Sequence, residues 1–197
     1  MFNKKTLIGA GFLAILIAGF SLSEYLARSQ MDAAGFEIGA PFDLQDQHNQ
    51  PADEQIFTAR PTALFFGFTH CPDICPTTLT DLIQWREEAG LSAEDVQIIF
   101  ITIDPERDTA EHLKNYLAFF APDITGLTGD KEQVLALVRQ WGIYREEIRT
   151  GDGGLTYDHT ATVFLLNKAG RLTGTIALEE KSENAIAKLQ NLAAASG

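Results

Sequence analysis

Hydrophobic and polar positions alternate along the chain in two rhythms. Thr62–Phe68, Val96–Thr102 and Thr160–Leu166 are short, nearly continuous apolar runs, the pattern of strands covered on both faces. Between and after the first two, Thr77–Ala89, Thr109–Phe120 and Lys131–Trp141 carry apolar residues at helical spacing. Asp108 with Glu111 reads as a capping box opening the second of these helices. Near the end, Asn167–Gly170 is a turn into a strand at Arg171–Ile176, and Ser182–Ala195 closes with a helix. Strands alternating with helices predict an α/β fold, a central and mainly parallel sheet flanked by helices, with the terminal hairpin as an antiparallel edge. One insertion interrupts the alternation. Tyr144–Thr150 and Leu155–Asp158 flank Gly151-Asp152-Gly153-Gly154 and read as a β-hairpin that delivers the chain to His159.

The first 40 residues follow a different pattern. Lys4 and Lys5 precede a stretch without charge from Thr6 to Ser23, and Glu24 and Arg28 follow it. Eighteen uncharged residues reach the roughly 17–25 needed to cross a bilayer, and the lysines place the N-terminus in the cytoplasm. A cleaved signal peptide is the alternative, with Ala27-Arg28-Ser29 as its small-x-small site. The anchor is preferred because the apolar stretch exceeds the ~7–15 residues of a signal core. The expected organisation is a cytoplasmic N-terminus at 1–5, a transmembrane anchor at 6–23, a tether at 24–40 and one folded domain at 41–197. With five residues before the apolar segment there is no room for a transit peptide, so the expected place is a bacterial inner membrane with the domain in the periplasm. Hydrophobic residues make up 45% of the chain, enough for one core, and the net charge is -12. Without residues 1–28 the chain keeps 12 basic and 26 acidic residues. That balance argues against nucleic acid and favours cations or basic protein surfaces.

Two cysteines occur, both in Phe68-Thr-His-Cys-Pro-Asp-Ile-Cys-Pro-Thr-Thr78, between a strand and a helix. With three residues between them, the thiols can meet as a disulfide or share a metal ion. A purely structural disulfide is the plain alternative, but so short a loop restrains little chain entropy. Pro76 is expected at the first helical position, which sets Cys75 beside the helix N-terminus, where the dipole stabilises a thiolate. Thiolates serve both disulfide exchange and soft-metal binding, copper(I) above all. Zinc could use the same donors.

Taken together, three motifs resemble the SCO/SenC family of copper-binding proteins. They are Phe65-Phe-Gly-Phe-Thr-His-Cys-Pro-Asp-Ile-Cys-Pro-Thr-Thr-Leu79, Thr102-Ile-Asp-Pro-Glu-Arg-Asp-Thr109, and Asp158-His-Thr-Ala161 leading into Val163-Phe-Leu-Leu166. The resemblance spans roughly Pro41 to Ile176. It implies a thioredoxin-like fold and a role in assembling the copper centre of cytochrome c oxidase. Carried over residue by residue, it implies copper(I) or copper(II) held by Cys71, Cys75 and His159, with Cys71 and Cys75 also acting as redox thiols. The implied partners are the copper-accepting oxidase subunit, a copper donor protein and a thiol reductant. Thioredoxin-like proteins usually place a cis-proline loop beside the cysteines. Here Ala161 stands at that position, and the loop presents His159 instead. Ala110 and Gln50-Pro51 depart from the family pattern, and neither touches a proposed ligand.

A metal-independent thiol–disulfide reductase or thiol peroxidase is the rival reading. The three-residue spacer and the absent proline count against it. Among other residues, Asp158 is a candidate to orient the His159 ring, although strand alternation points it to the opposite face. His70 is either a tuner of Cys71 or an exposed loop residue. Asp73, between the cysteines, opposes a thiolate while favouring a cation. Asp104-Pro-Glu-Arg-Asp108 is read as the end of a strand and the start of a helix, and His48 and His112 receive no role.

Overall fold

The computed structural model describes residues 41–151 and 153–195. The expected anchor at 6–23 and tether at 24–40 lie outside them. Among the described residues, no helix is long and apolar enough to cross a membrane.

Strands β1 (Leu44–Asp46) and β2 (Pro51–Ala52) form a small hairpin, and a 3-10 turn covers Glu54–Phe57. Next come β3 (Thr62–Gly67), α1 (Ile74–Glu88), β4 (Gln97–Thr102), α2 (Ala110–Leu117), β5 (Thr125–Thr128) and α3 (Lys131–Gln140). The chain then makes β6 (Arg145–Arg149) and β7 (Leu155–His159), continues through β8 (Val163–Leu166) and β9 (Leu172–Ile176), and ends in α4 (Ser182–Ala194). The main sheet has the order β2-β1-β5-β4-β3-β8-β9, and β6 and β7 form a separate two-stranded sheet. Every residue of β3 and β4 is buried, as their unbroken apolar runs require of strands covered on both faces. The fold is the expected α/β arrangement with an inserted hairpin before His159.

Two expectations are corrected in detail. The parallel part of the sheet is confined to its centre, where β3 pairs with β4 and β4 with β5; β1–β2, β1–β5, β3–β8 and β8–β9 are antiparallel. β3 joins β4 through α1 and β4 joins β5 through α2, crossovers that keep strands parallel, whereas β1–β2 and β8–β9 are joined by short turns that reverse the chain. Asp108 does not cap α2. Thr109 does, accepting from the His112 N–H, because the Asp108 carboxylate is turned into the protein, where it accepts from the Thr69 N–H and hydroxyl and the Thr102 hydroxyl.

The core gathers aromatic rings from distant segments. Trp141 meets Phe57, Phe66 and Phe164 with centroids 5.4 to 6.0 Å apart. Helices α1 and α4 pack against each other, and α2 lies over β5. The edge of the sheet where β3 and β4 end is held by the segment after β4. Asp104 is buried and pairs with Arg107, whose Nη1 donates to the Leu155 carbonyl at 2.9 Å. Tyr157 donates its hydroxyl to Asp104 at 3.2 Å, and the Arg145 guanidinium lies 4.0 Å from the Tyr157 ring centre while its Nε donates to the Ile103 carbonyl. The second motif therefore does more than end a strand: Asp104 and Arg107 fasten the hairpin to the sheet.

Candidate metal centre

The cysteine loop leaves β3 at Gly67 and turns through Phe68–His70, where the Cys71 N–H donates to the Phe68 carbonyl at 3.2 Å. Gly67 is dictated by close approach: a Cβ there would lie 2.9 Å from Cys75 Sγ and 2.8 Å from Phe100, inside any real contact. Helix α1 begins at Ile74, so Pro76 is its third residue rather than its first, still within the turn where a missing N–H leaves no intrahelical bond unmade. The role expected of Cys75 at the helix N-terminus passes to Cys71. Its sulfur accepts from the Cys75 N–H at 3.4 Å, while Cys75 itself is fully buried beneath the first turn.

This geometry divides the labour between the thiols. A hydrogen bond from the Cys75 side chain pulls the Cys71 thiol down to about 4, with the backbone of Cys75 and Asp73 acting in the same direction against desolvation. Cys75 moves the opposite way, because its S–H donates a hydrogen bond to the Cys71 sulfur, is buried, and sits beside the charge on Cys71. Cys71 is the half-exposed thiolate and Cys75 the buried thiol. Both are free cysteines.

His159 ends β7 opposite Arg145. Its Nε2 lies 3.6 Å from Cys75 Sγ, and its Nδ1 lies 2.9 Å from the Thr160 carbonyl. A carbonyl can only accept, so Nδ1 carries the proton and Nε2 faces the sulfur with its lone pair. The ring is braced edge-on against Phe68 at 5.7 Å and lies 6.3 Å from Phe65. Cys71, Cys75 and His159 are thus brought together from positions up to 88 residues apart in sequence, giving two sulfur donors and one oriented imidazole, a set suited to soft or borderline ions.

The remaining candidates separate cleanly. Asp158 is exposed, and the Thr160 carbonyl orients the imidazole in its place. Ala161 packs against the core beside the loop, and among the described residues no peptide bond is cis. Asp73 sits at the start of α1 without a side-chain capping bond. Residue-type reasoning missed the positioning role of Asp104, Arg107 and Tyr157; a run of one basic and three acidic residues just after a buried strand was the available signal.

A family model described as SCO1/SenC matches residues 30–194. The SCO2-like protein of Rickettsia prowazekii is 32% identical over 168 residues, 84% of this chain and 82% of its own. A putative copper-binding protein of Stutzerimonas stutzeri is 36% identical over 135 residues, 68% of this chain and 66% of its own. Among solved structures, Bradyrhizobium japonicum ScoI with copper bound has 39% sequence identity and a TM-score of 0.71, covering 79% of this chain and 99% of that one.

Proposed function

The chain belongs to the SCO1/SenC family, and on that premise we propose that it is a copper metallochaperone that holds copper through Cys71, Cys75 and His159 and delivers it during assembly of the copper centre of cytochrome c oxidase. Copper here is cargo. The observation that carries the reading is the His159 imidazole, with Nδ1 committed to the Thr160 carbonyl and Nε2 turned toward Cys75 Sγ at 3.6 Å. Two sulfurs and one such nitrogen suit copper(I), and copper(II) would complete its shell with water or another oxygen. A site of three protein donors, two of them partly exposed, also allows release by ligand exchange, one donor at a time.

The same thiols support a second task. The Cys71 thiolate would attack a disulfide of the recipient to give a mixed disulfide and one freed recipient thiol; Cys75 would then displace the second, leaving a Cys71–Cys75 disulfide and a reduced recipient ready for copper. The asymmetry between an accessible thiolate and a buried thiol favours this step. The implied partners are the oxidase subunit that accepts copper, a donor protein that loads it and a reductant that resets the disulfide. The proposed place is the bacterial inner membrane, with the N-terminal segment as anchor and the domain on the periplasmic side; no nucleic acid is involved.

The test is competition between the reduced full chain and a copper(I) chelator, repeated with His159→Ala. Loss of the third donor should weaken copper(I) binding while leaving disulfide exchange by the thiols in place. Equal affinity in the two proteins would remove His159 from the site. Deleting the gene and assaying oxidase activity with and without added copper separates the two tasks: rescue by copper supports delivery, and rescue by a reductant alone supports thiol reduction.

A further inference from the structure

On the far side of the cysteine loop, a second set of donor atoms converges that neither the thiols nor His159 uses. His70 comes from the loop after β3, His112 from the first turn of α2, and Asp108 from the segment between β4 and α2. One donor atom from each lies within 4.8 Å of the others. The two imidazoles stack, with centroids 5.3 Å apart and planes 16° from parallel. The Asp108 side chain is fully buried. Its hydrogen bonds all come from uncharged groups: the Thr69 N–H at 3.0 Å, the Thr69 hydroxyl at 2.5 Å and the Thr102 hydroxyl at 2.7 Å. Among the described residues no Lys or Arg forms an ion pair with it, and its one ionisable partner is His70, at 3.7 Å.

A buried carboxylate supplied with neutral donors but no countercharge is unfavourable. Two imidazoles at its mouth can hold the missing charge as a bound cation. The Thr69 hydroxyl ties the arrangement together, bonding Asp108 Oδ1 and lying 3.0 Å from His70 Nδ1. We propose that His70, His112 and Asp108 form a second cation site, of nitrogen and oxygen donors, that takes a borderline divalent transition ion such as zinc(II) or copper(II).

The donor chemistry separates this site from the thiols. Imidazole and carboxylate suit borderline divalent ions, whereas thiolates favour copper(I). Donors around zinc stand at roughly 2.0–2.2 Å from the metal, so the three atoms must draw closer than 4.8 Å. Both histidines are exposed, and rotation of their side chains accomplishes this while the buried Asp108 stays fixed. Water fills the remaining positions. The two sites share the backbone of Thr69 to Cys71, so an ion at one places positive charge beside the other. The inference does not depend on the copper-delivery reading.

The test uses the full chain with Cys71→Ser and Cys75→Ser, which silences the thiols. Equilibrium dialysis is run against zinc sulfate and, separately, copper(II) chloride, and repeated after adding His112→Ala or, as a variant that keeps a polar helical side chain, His112→Gln. The expected result is one ion per chain in the double-serine protein and an affinity lower by about tenfold or more without His112, since even an outer partner of a metal ligand is worth roughly 10–100-fold. The copper(II) form should show coupling to two imidazole nitrogens by electron paramagnetic resonance, reduced to one in either His112 variant. Binding of one metal and not the other identifies the ion and supports the site. Binding by neither, or binding unchanged in both His112 variants, overturns it.

Discussion

At the scale of single residues, chemistry is set by who donates to whom. The Cys71 sulfur collects hydrogen bonds from the Cys75 thiol and from backbone N–H groups, and these lower its pKa to about 4. Because the shift is downward, the thiolate persists as pH falls until about 4, whereas an ordinary cysteine is already protonated below about 8.5. Iodoacetamide alkylation followed by mass spectrometry from pH 3 to 9 should therefore show Cys71 reacting at a plateau by about pH 6, with Cys75 unreactive until the protein unfolds. An inflection near the ordinary thiol value would contradict this. Gly67 is the second lever. Gly67→Ala forces a methyl group against Cys75 Sγ and Phe100 and should cost about 1–3 kcal/mol as overpacking, read as a lower urea midpoint with a shifted Cys71 alkylation profile. The cysteines were legible in the sequence as a pair of thiols close enough to share a metal ion, and His159 joined them through the resemblance carried by Asp158-His-Thr-Ala161. Which thiol ionises was not, since it hinges on whether the helix starts at residue 74 or two residues later, a boundary that residue patterns locate poorly.

At the scale of elements, the β6–β7 arm decides where His159 stands. It forms a two-stranded sheet of its own and is held by Arg107, Arg145, Tyr157 and Asp104. Arg107→Ala removes the hydrogen bond to the Leu155 carbonyl, the partner of Asp104 and the cation lying 5.6 Å from the Tyr157 ring centre. Amide exchange in Arg145–His159 should quicken by about tenfold or more, since each tenfold corresponds to ~1.4 kcal/mol, while α3 stays protected. Equal acceleration in both would make Arg107 a general stabiliser instead. The hairpin itself was readable from Gly151-Asp-Gly-Gly154 between two strand-like runs. Its clamp was not, because Asp104 and Arg107 also satisfy the pattern of an ordinary strand-to-helix turn, and only the fold reveals that Leu155 and Tyr157 lie against them.

At the scale of the molecule, strands with long apolar runs or flanking turn residues were legible, and β1, β2 and β5 were not. β3 and β4 each have six buried residues, whereas β5 is Thr-Gly-Leu-Thr and β2 has two residues. Those weak strands are recruited by tertiary bonds: Gln47 accepts from the Gly126 N–H and donates to the Ile124 carbonyl, joining the turn after β1 to β5. Stability should accordingly concentrate in the centre. Phe66→Ala removes a fully buried ring that meets Trp141 and Phe164 and should cost about 3–5 kcal/mol, measured by urea unfolding at a fixed pH; a loss below about 1 kcal/mol would show that the cluster collapses to fill the space. The separate standing of the β6–β7 arm carries one more consequence. The two cysteines reside beside the main sheet and the imidazole on a separate two-stranded sheet, so the thiol pair and its third candidate donor are encoded in different stretches of chain. Grafting the arm onto a metal-free scaffold of the same fold therefore has to carry its fastening residues Asp104 and Arg107 along with it, because Tyr157 and Leu155 lie against them.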